Sequence, residues 1–309
     1  MTSESSGNYK QKFDSIGLFY FVVIHGVALL AFFPFAFSWS AIGLMLFLYW
    51  LTMSLGICLG FHRYLSHRSF ALPKWLAYTL VFFGTLAWQD GPIKWAGQHR
   101  MHHAGADTVE DPHSASKGFW WSHFIWMLFI HSKFDDEKIL RDHTKDFSDE
   151  KYYQFLDKHC TSIQVAFGLI LYAIGGFPWV IWGVFVRLVV VYHATWFINS
   201  AAHRYGYINF PLKTDLATNC WWVGFLSWGE GWHNNHHAFP KSARHGMRAF
   251  EIDMTWWFIC LLEMIGLAKD VKVAQLLPGP VLENNEERST FIGKVVTRSV
   301  ASLKEGNAN

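Results

Sequence analysis

The sequence is poor in charged residues and in cysteine. Only 16% of its 309 residues are Asp, Glu, Lys or Arg, whereas a typical soluble domain has about 25%. The four cysteines are scattered and form no Cys-x-x-Cys pair, which argues against a disulfide framework and against a thiolate zinc site. The net charge of +2 is too small to indicate a nucleic acid partner.

Apolar residues, aromatic residues and histidine are abundant instead. Hydrophobic residues make up 51% of the chain and aromatic residues 18%, and there are 17 histidines. Long apolar runs favour membrane-spanning helices, and Trp and Tyr favour the headgroup zone of a bilayer. The composition therefore predicts an integral membrane protein.

Three long apolar regions predict four membrane spans. Two runs are separated only by Ser38, and the third is interrupted by Gly175-Gly176-Phe177-Pro178, where a turn is expected. Each resulting run is long enough, or nearly so, to cross the hydrocarbon layer as a helix. The predicted spans form two hairpins and cover residues of about 16–37, 39–60, 163–177 and 179–199.

The positive charges near the span ends predict the orientation. Both hairpin turns are uncharged, and the basic residues near span ends lie on the opposite side: Lys10, Lys12, Arg63, Arg68 and Arg204. By the positive-inside rule this side is the cytoplasm. The predicted single domain covers residues 16–277, and its catalytic parts, 61–162 and 200–277, would lie on the cytoplasmic side. The N-terminal tail 1–15 and the polar C-terminal tail 278–309 would lie on the same side.

Some apolar features do not fit a span. The stretches 75–88, 120–130 and 256–267 are short, and we expect helices that lie in the interface or under the catalytic part. Arg187 interrupts the fourth run and would be costly if it faced lipid. It is expected either to snorkel or to face an internal polar pocket.

Histidines cluster at three places, each just outside a predicted span. The clusters are His62-Arg-Tyr-Leu-Ser-His67, His99-Arg-Met-His102-His103 and His233-Asn-Asn-His236-His237. Spacings of three and four place side chains on one helix face. The spacing of five in the first cluster suits a helix end that opens into a loop.

The clusters predict a site for two metal ions. Imidazole suits Zn, Cu, Fe and Ni, and no cysteine lies near any cluster. Eight histidines are too many for one ion. His25 and His193 stand alone, and we interpret them as packed or interfacial side chains.

With these three clusters the sequence resembles the membrane fatty-acyl desaturase family, which is characterised by three histidine boxes with this spacing. The resemblance extends to longer strings: Gly60-Phe-His-Arg-Tyr-Leu-Ser-His-Arg-Ser69, Asp111-Pro-His113, Lys117-Gly-Phe-Trp-Trp-Ser-His123 and Gly229-Glu-Gly-Trp-His-Asn-Asn-His-His237. It is strongest to the delta-9 branch and its cyanobacterial acyl-lipid enzymes. It implies an all-α integral membrane fold with four transmembrane helices in two hairpins and a cytoplasmic helical cap that holds a di-iron site.

The resemblance also assigns residues. An Asn-x-x-x-His motif supplies a ninth ligand, and Asn199 and His203 match it on one helix face. The implied ligands are His62, His67, His99, His102, His103, His203, His233, His236 and His237, with Asn199 reaching the second metal ion through water. Positions that shape a bent acyl tunnel match Gln89, Trp95 and Thr195.

Other roles are hypotheses from position. Trp50 lies about 18 Å along the second helix from His62, where a bulky side chain could limit acyl chain length. Ligating histidines usually donate their second ring N–H to a carboxylate or carbonyl, and Asp107, Asp111 and Glu230 are near enough in sequence to serve. They could equally be surface charges or helix caps.

Differences between this chain and other members of the family indicate its substrate and its electron donor. Animal acyl-CoA enzymes carry Arg-Asp and a basic pair where this chain has Gly97-Gln98 and Ile130-His131. That favours an acyl chain esterified in a membrane glycerolipid, with an acyl-CoA as the alternative. No cytochrome-b5-like haem domain is recognisable, so a separate donor is expected, ferredoxin or alternatively cytochrome b5. O2 is the oxidant, and a cyanobacterial source would allow a thylakoid location.

Two rival functions remain open. The same scaffold could hydroxylate its substrate, and a product carrying oxygen would show this. A metal transporter would place ionisable ligands near mid-membrane, often in repeated halves. Here the clusters lie on one side and no repeat is visible. Zinc also remains possible for the ligand set, because imidazoles accept it.

Overall fold

The computed structural model describes residues 10–274, and this part of the chain is largely helical. The predicted tail 278–309 and residues 1–9 of the predicted N-terminal tail lie outside the described residues. The α-helices, in chain order, are α1 (Ser15–Ala28), α2 (Trp39–Tyr49), α3 (Lys74–Thr85), α4 (Pro92–Gly105), α5 (Phe119–His123), α6 (Glu137–His143), α7 (Lys151–Val180), α8 (Arg187–Ser200), α9 (Trp221–Leu226), α10 (His233–Ala238) and α11 (Met254–Met264).

Several helices continue into segments of tighter or wider helical geometry. The 3₁₀ segments are Leu29–Phe32, Pro34–Ala36, Ala115–Lys117, Ile125–Leu128 and Ala201–His203, and the π segments are Trp50–Ser66 and Ile181–Val186. Two short strands, β1 (Gln11–Phe13) and β2 (Phe129–His131), pair antiparallel.

Within residues 10–274, three helical stretches are long and apolar enough to cross a membrane, judged by length and composition. They are Ser15–Phe32, Trp39–Ser66 and Lys151–His203, with mean hydropathies of 2.2, 2.0 and 2.0. The first begins where the Asp14 side chain accepts a hydrogen bond from the Ile16 N–H. The second begins where Ser38 caps the Ala41 N–H, so the single polar residue between the first two apolar runs starts a helix.

The third stretch folds back on itself at Gly176. This residue has φ 63° and ψ −158°, a conformation that glycine adopts without a Cβ penalty. A Cβ at Gly168 would lie 3.7 Å from Val184, whereas sixteen residues of straight helix would separate these positions by about 24 Å. The arms on either side of Gly176 therefore form an antiparallel helical hairpin, as the Gly-Gly-Phe-Pro sequence predicts.

The first histidine pair lies in a π-helical segment. The second long helix continues to Ser66, beyond the predicted end at residue 60, and the His67 N–H donates to the His62 carbonyl oxygen at 3.1 Å. In this i→i+5 geometry a spacing of five places both imidazoles on one side of the helix. The predicted helix end is present, but it falls at His67 itself.

Arg187 faces the protein interior, the second of the two predicted alternatives. It is completely buried, and its guanidinium donates to the carbonyl oxygens of Gly183 and Leu86, both at 2.7 Å, and to the Thr52 hydroxyl at 3.3 Å. A charge inside an apolar bundle is tolerated only with such partners. Arg187 thus joins the second and fourth predicted spans to the end of α3.

One predicted helix is wrong, and two short ones are confirmed. The stretch 120–130 divides into α5, one 3₁₀ turn and β2, because Phe124 leaves helical geometry at φ −149° and β2 pairs with β1. The stretches 75–88 and 256–267 correspond to α3 and α11. The end of the predicted N-terminal tail is accordingly ordered in a strand.

Candidate metal centre

The nine predicted histidine ligands converge into two adjacent clusters. The five-histidine cluster contains His62, His67, His99, His103 and His236, and the four-histidine cluster contains His102, His203, His233 and His237. Within each cluster one nitrogen from every imidazole lies within 4.8 Å of the others. Two ions, rather than one, fit this arrangement.

Helices α4 and α10 each serve both clusters. In α4, His99 and His103 belong to the five-histidine cluster and His102 to the four-histidine cluster. In α10 the assignment is reversed, because His233 and His237 belong to the four-histidine cluster and His236 to the other. The i, i+4 pair of each helix therefore lies together, and the residue between lies on the neighbouring cluster.

The nitrogen positions suit a transition metal. The Nε2 atoms of His62 and His236 are 3.0 Å apart, and those of His103 and His236 are 2.9 Å apart. In zinc sites metal–imidazole bonds are about 2.0–2.1 Å, so two nitrogens at right angles around one ion lie about 3 Å apart. The five-histidine cluster has the spacing that such an ion requires.

Carboxylates contact the second ring nitrogen of several cluster histidines. Asp107 Oδ2 lies 2.6 Å from His203 Nδ1 and Asp111 Oδ2 lies 3.0 Å from His102 Nδ1. Glu230 Oε2 lies 2.8 Å from His62 Nδ1. All three carboxylates that were predicted to orient the imidazoles therefore lie beside cluster histidines. Asp215, which the sequence interpretation did not select, contacts His237 Nδ1.

Buried nitrogens test whether the clusters fit a metal. The Nε2 atoms of His203 and His237 are buried without a hydrogen-bond partner, although Nδ1 of each imidazole contacts a carboxylate. An unpaired buried polar atom is costly, and a metal ion is a partner for a neutral imidazole whose other N–H is held by a carboxylate. These residues fit a bound metal.

The protonation states also favour metal binding. Burial lowers the pKa of His99, His103, His233 and His236 well below 6.5, and neighbouring imidazoles lower it further. Burial alone would raise the pKa of Asp107, but the hydrogen bond and charge of His203, together with the backbone N–H groups of Leu216 and Ala115, outweigh it and bring the pKa to about 2. Neutral imidazoles beside ionised carboxylates are the forms that coordinate cations.

A buried network of ion pairs holds the Glu230 carboxylate in place. Arg63 is fully buried, contacts Glu230 at 3.0 Å and forms two hydrogen bonds with Asp253, at 3.0 and 2.9 Å. Gly229, with φ 117°, allows the close approach, because a Cβ there would meet Asp253 Oδ1 at 2.4 Å. His245 Nδ1 lies 2.9 Å from the same Glu230 oxygen that contacts His62.

Two cavities border the clusters. The smaller, of about 50 Å³, lies between them and is lined by His62 and His99 of one cluster and His102 and His233 of the other. The larger, of about 520 Å³, extends from α1 and β2 toward the clusters. Residues shared by both linings are Trp95, His99, His113, Thr195 and Asn199.

The three predicted tunnel residues meet where the two cavities adjoin. The Gln89 amide donates to the Thr195 hydroxyl at 2.9 Å, and the Trp95 indole N–H donates to Gln89 Oε1 at 3.4 Å. Thr195 and Trp95 line both cavities, and Gln89 lines the larger one. This hydrogen-bonded group gives the inner wall of the cavity a defined shape beside His99.

Trp50 does not line either cavity. It packs against Phe258 with ring centroids 6.5 Å apart, in a cluster that includes Leu55. Its position gives no support to a role in chain-length selection. Asn199 lines both cavities but is outside the two imidazole groups.

The lining of the larger cavity contains more carboxylates than cations. Its charged lining residues are Asp14, Asp90, Asp135, Asp157, Lys94 and Lys158. The Lys94 ammonium lies 3.2 Å from Asp90 and 3.1 Å from Asp135, so two carboxylates neutralise it. Gln98 donates to Asp135 at 3.2 Å and Ile130 lines the cavity. Neither position supplies a cation.

Three site residues escaped the sequence interpretation. Asp215 lies in a loop without helical spacing to its partner, His245 follows a turn, and His113 lies beside Asp111 and lines both cavities. The expectation that every ligating imidazole has a carboxylate or carbonyl partner was the signal available for Asp215. Nothing in the local sequence pattern distinguishes His245.

The fold and the site define a class of protein: a helical protein with stretches apolar enough to cross a membrane and two imidazole clusters, able to hold metal ions, beside a cavity. The fatty acid desaturase family profile matches residues 37–257, and the chain belongs to this family.

Named relatives agree with the family assignment. The chain is 55% identical over 257 residues to the sn-1 stearoyl-lipid 9-desaturase of Synechocystis, covering 83% of this chain and 79% of that protein. It is 49% identical to the sn-2 palmitoyl-lipid 9-desaturase of Nostoc, with coverage of 83% and 89%. Identity to the icosanoyl-CoA 5-desaturase of Limnanthes douglasii is 42%, with coverage of 82% and 70%.

Proposed function

We propose that this protein uses O2 and two iron ions to introduce a cis double bond at the delta-9 position of saturated C16 or C18 acyl chains esterified in membrane glycerolipids. The names of the Synechocystis and Nostoc relatives support the bond position and the lipid-bound substrate. The relative named for a CoA substrate shares lower identity.

The continuous cavity wall is the observation that carries this proposal. Gln89, Thr195 and Trp95 are hydrogen-bonded to one another, and the same wall includes His99 of the five-histidine cluster. A wall of this kind can hold two adjacent methylene groups of an acyl chain beside the metal centre. Positioning of the reacting carbons fixes both the rate and the bond that is oxidised.

Iron would be held by the nine histidines, with Asn199 reaching the ion of the four-histidine cluster through water. When bound, the two ions supply the O2-dependent oxidation that an unactivated methylene requires. The chain's own groups orient the ligands through Asp107, Asp111, Asp215 and Glu230. Residues Gln89, Trp95 and Thr195 hold the acyl chain and exclude water from the reacting carbons.

The charges that line the larger cavity favour a lipid ester over a CoA ester. CoA carries several phosphate charges, and the four lining carboxylates, which would repel them, outnumber Lys94 and Lys158, of which Lys94 is already paired. A neutral glycerolipid headgroup meets no such repulsion.

The same proposal includes the membrane arrangement and the electron source. The Gly176 hairpin divides the third apolar stretch into two arms, so four spans with both termini and the histidine clusters on the cytoplasmic side account for the three apolar stretches. The positive charges near the clusters agree with this side. A separate carrier, ferredoxin or alternatively cytochrome b5, would deliver electrons at a plasma or thylakoid membrane.

Expression in a host that makes saturated C16 and C18 chains but no delta-9 product tests the function. Mass spectrometry of disulfide adducts locates a new double bond, and His99→Ala is the inactive control. A delta-9 monoene in the glycerolipids, absent from the control, is the expected result. An oxygenated chain would assign hydroxylation instead, and product confined to acyl-CoA would exclude the lipid substrate.

A further inference from the structure

The proposed desaturation requires electrons from outside the protein, and the inference made here rests on that proposed function. Desaturation balances as R–CH2–CH2–R′ + O2 + 2e⁻ + 2H⁺ → R–CH=CH–R′ + 2H2O. The acyl chain is oxidised by two electrons, O2 is reduced by four, and two electrons and two protons must arrive from outside. A one-electron protein carrier must therefore approach the metal centre twice in each turnover.

The five-histidine cluster lies next to a protein surface that contains two arginines. His67 is followed directly by Arg68, and His99 directly by Arg100. Arg68 Nε and Arg100 Nη1 both bind Asp146, at 2.7 and 2.6 Å. The Arg68 side chain is about one-third exposed at 35%. A partner that touches Arg68 is thus one residue along the chain from a metal-binding imidazole.

Lysines from the C-terminal part of the domain extend this surface. The Lys272 ammonium donates to the Arg68 carbonyl oxygen at 2.6 Å, and the Lys272 N–H donates to the Ser69 carbonyl oxygen at 2.8 Å. The Ala243 N–H in turn donates to the Lys272 carbonyl oxygen, which brings the exposed Lys241 nearby. Burial lowers the pKa of Lys272, the charges of Lys241 and Arg68 lower it further, and the nearby Asp270 carboxylate opposes the change.

We propose that the face formed by Arg68, Lys241 and Lys272, here called the cationic face, docks an acidic one-electron carrier protein that supplies the metal centre. Opposite charges accelerate encounter and fix orientation without requiring a large buried area. Small interfaces are typical of transient electron-transfer pairs. The carrier's redox group then faces the side of the protein nearest His67 and His99.

Charge-reversed variants of the full chain test the proposal. Lys241→Glu and Lys272→Glu are made singly and together, and Lys10→Glu, an exposed lysine beside β1 at the opposite end of the domain sequence, is the matched control. Each protein is loaded with iron in nanodiscs of phosphatidylcholine. A plant-type [2Fe–2S] ferredoxin serves as the acidic carrier, and its Kd is measured in its oxidised form, without turnover.

The double variant should bind ferredoxin about tenfold more weakly or worse at low salt, because electrostatic steering is lost. Its KM for ferredoxin should rise, with kcat at saturating ferredoxin nearly unchanged, and the salt dependence of its rate should flatten. Single turnover after chemical reduction with dithionite should equal that of the wild type. Lys241→Glu should show part of the effect and Lys10→Glu none.

Three outcomes would overturn the proposal that the cationic face docks the carrier. One is a ferredoxin Kd in the double variant and in Lys241→Glu equal to that of the wild type. Another is a variant rate that falls only in nanodiscs containing phosphatidylglycerol, with the ferredoxin Kd unchanged, which would assign the face to the lipid surface. The third is an equal loss of binding in Lys10→Glu. Failure of wild-type dithionite-driven turnover would count against the proposed function, whereas the Kd comparison stands independently of it.

Discussion

Asp107 and His203 are joined by a 2.6 Å contact across 96 residues of sequence. The carboxylate also accepts hydrogen bonds from the Ala115 and Leu216 N–H groups. These bonds hold the carboxylate in the position from which it orients the imidazole. His203 Nε2 is the atom left free for a ligand. This pair ties the end of the long helical hairpin to the loop after α4.

Asp107→Asn should reduce metal binding. The amide cannot carry the negative charge that holds His203 with Nε2 free, and loss of such a partner costs about 10- to 100-fold in metal affinity or activity. Iron per protein after dialysis against a weak chelator measures the effect. Asp149→Asn, at an exposed carboxyl group, is the control, and equal iron retention in both variants would contradict the assigned role.

Glu230→Gln should lower both stability and metal binding. The change leaves the buried Arg63 with Asp253 as its one remaining carboxylate contact among the described residues, and breaking a buried pair from one side costs about 3–5 kcal/mol. Thermal unfolding in detergent and iron content report the two effects. Glu137→Gln removes an exposed ion pair with Arg141 and should change neither. A stable, iron-replete Glu230→Gln protein would refute the network's importance.

Thr195→Val should disturb the choice of bond. Valine keeps the shape but removes the acceptor of the Gln89 amide, so the inner cavity wall loses its fixed hydrogen-bonded form. A displaced acyl chain is expected to react about tenfold more slowly or worse and to yield monoenes at several positions. Mass spectrometry of the products measures both. Thr79→Val, whose hydroxyl bonds only within α3, should give wild-type products, and an unchanged product in Thr195→Val would argue against the positioning role.

Trp50→Ala should leave the chain-length profile unchanged. The side chain packs on Phe258 away from both cavities, so its loss should lower the unfolding free energy by about 1–3 kcal/mol without altering the tunnel. The C16 to C18 product ratio is the measurement. Ile24→Phe, which narrows the larger cavity, should shift that ratio. A shift in Trp50→Ala instead would restore the role that the sequence position suggests.

Asp146→Asn should remove an acid-sensitive part of the stability. Burial raises the pKa of Asp146, but hydrogen bonds from Arg100 and Arg68 outweigh this and lower it from 3.8 to about 2. Its stabilising contribution is therefore complete above about pH 4 and is lost as the pH falls toward 2. The carboxylate is 38% exposed, so screening limits the contribution to about 1 kcal/mol or less.

Unfolding midpoints at pH 7 and pH 2.5 measure this contribution. The wild type should exceed Asp146→Asn at pH 7, and the difference should be clearly smaller at pH 2.5, which lies between the folded and unfolded pKa values. Asp149→Asn should match the wild type at both values. A difference at pH 2.5 as large as that at pH 7 would mean that the Arg68 and Arg100 hydrogen bonds do not require the carboxylate charge.

The sequence predicts the apolar helices, the turn at Gly176 and the eight clustered histidines, because length, glycine conformation and spacing are local properties. The ninth histidine, His203, comes from the family resemblance. It does not predict how the histidines sort into two groups, because each group combines imidazoles from separate segments of the chain, and only the tertiary structure brings His102 beside His203 and His233. The helix predicted over 120–130 was wrong for a related reason. Its pairing partner, Gln11–Phe13, lies more than 100 residues away, and no local signal identifies it.

Because α4 and α10 each contribute imidazoles to both clusters, two metal ions held by these clusters would not bind independently. The first ion to bind would fix both helices, and α10, with only six residues, is too short to be stable as an isolated helix. The second ion would then bind to a scaffold whose conformational entropy has already been lost. Metal loading should therefore be cooperative, so that protein molecules carry either two ions or none, and a singly loaded form should be scarce.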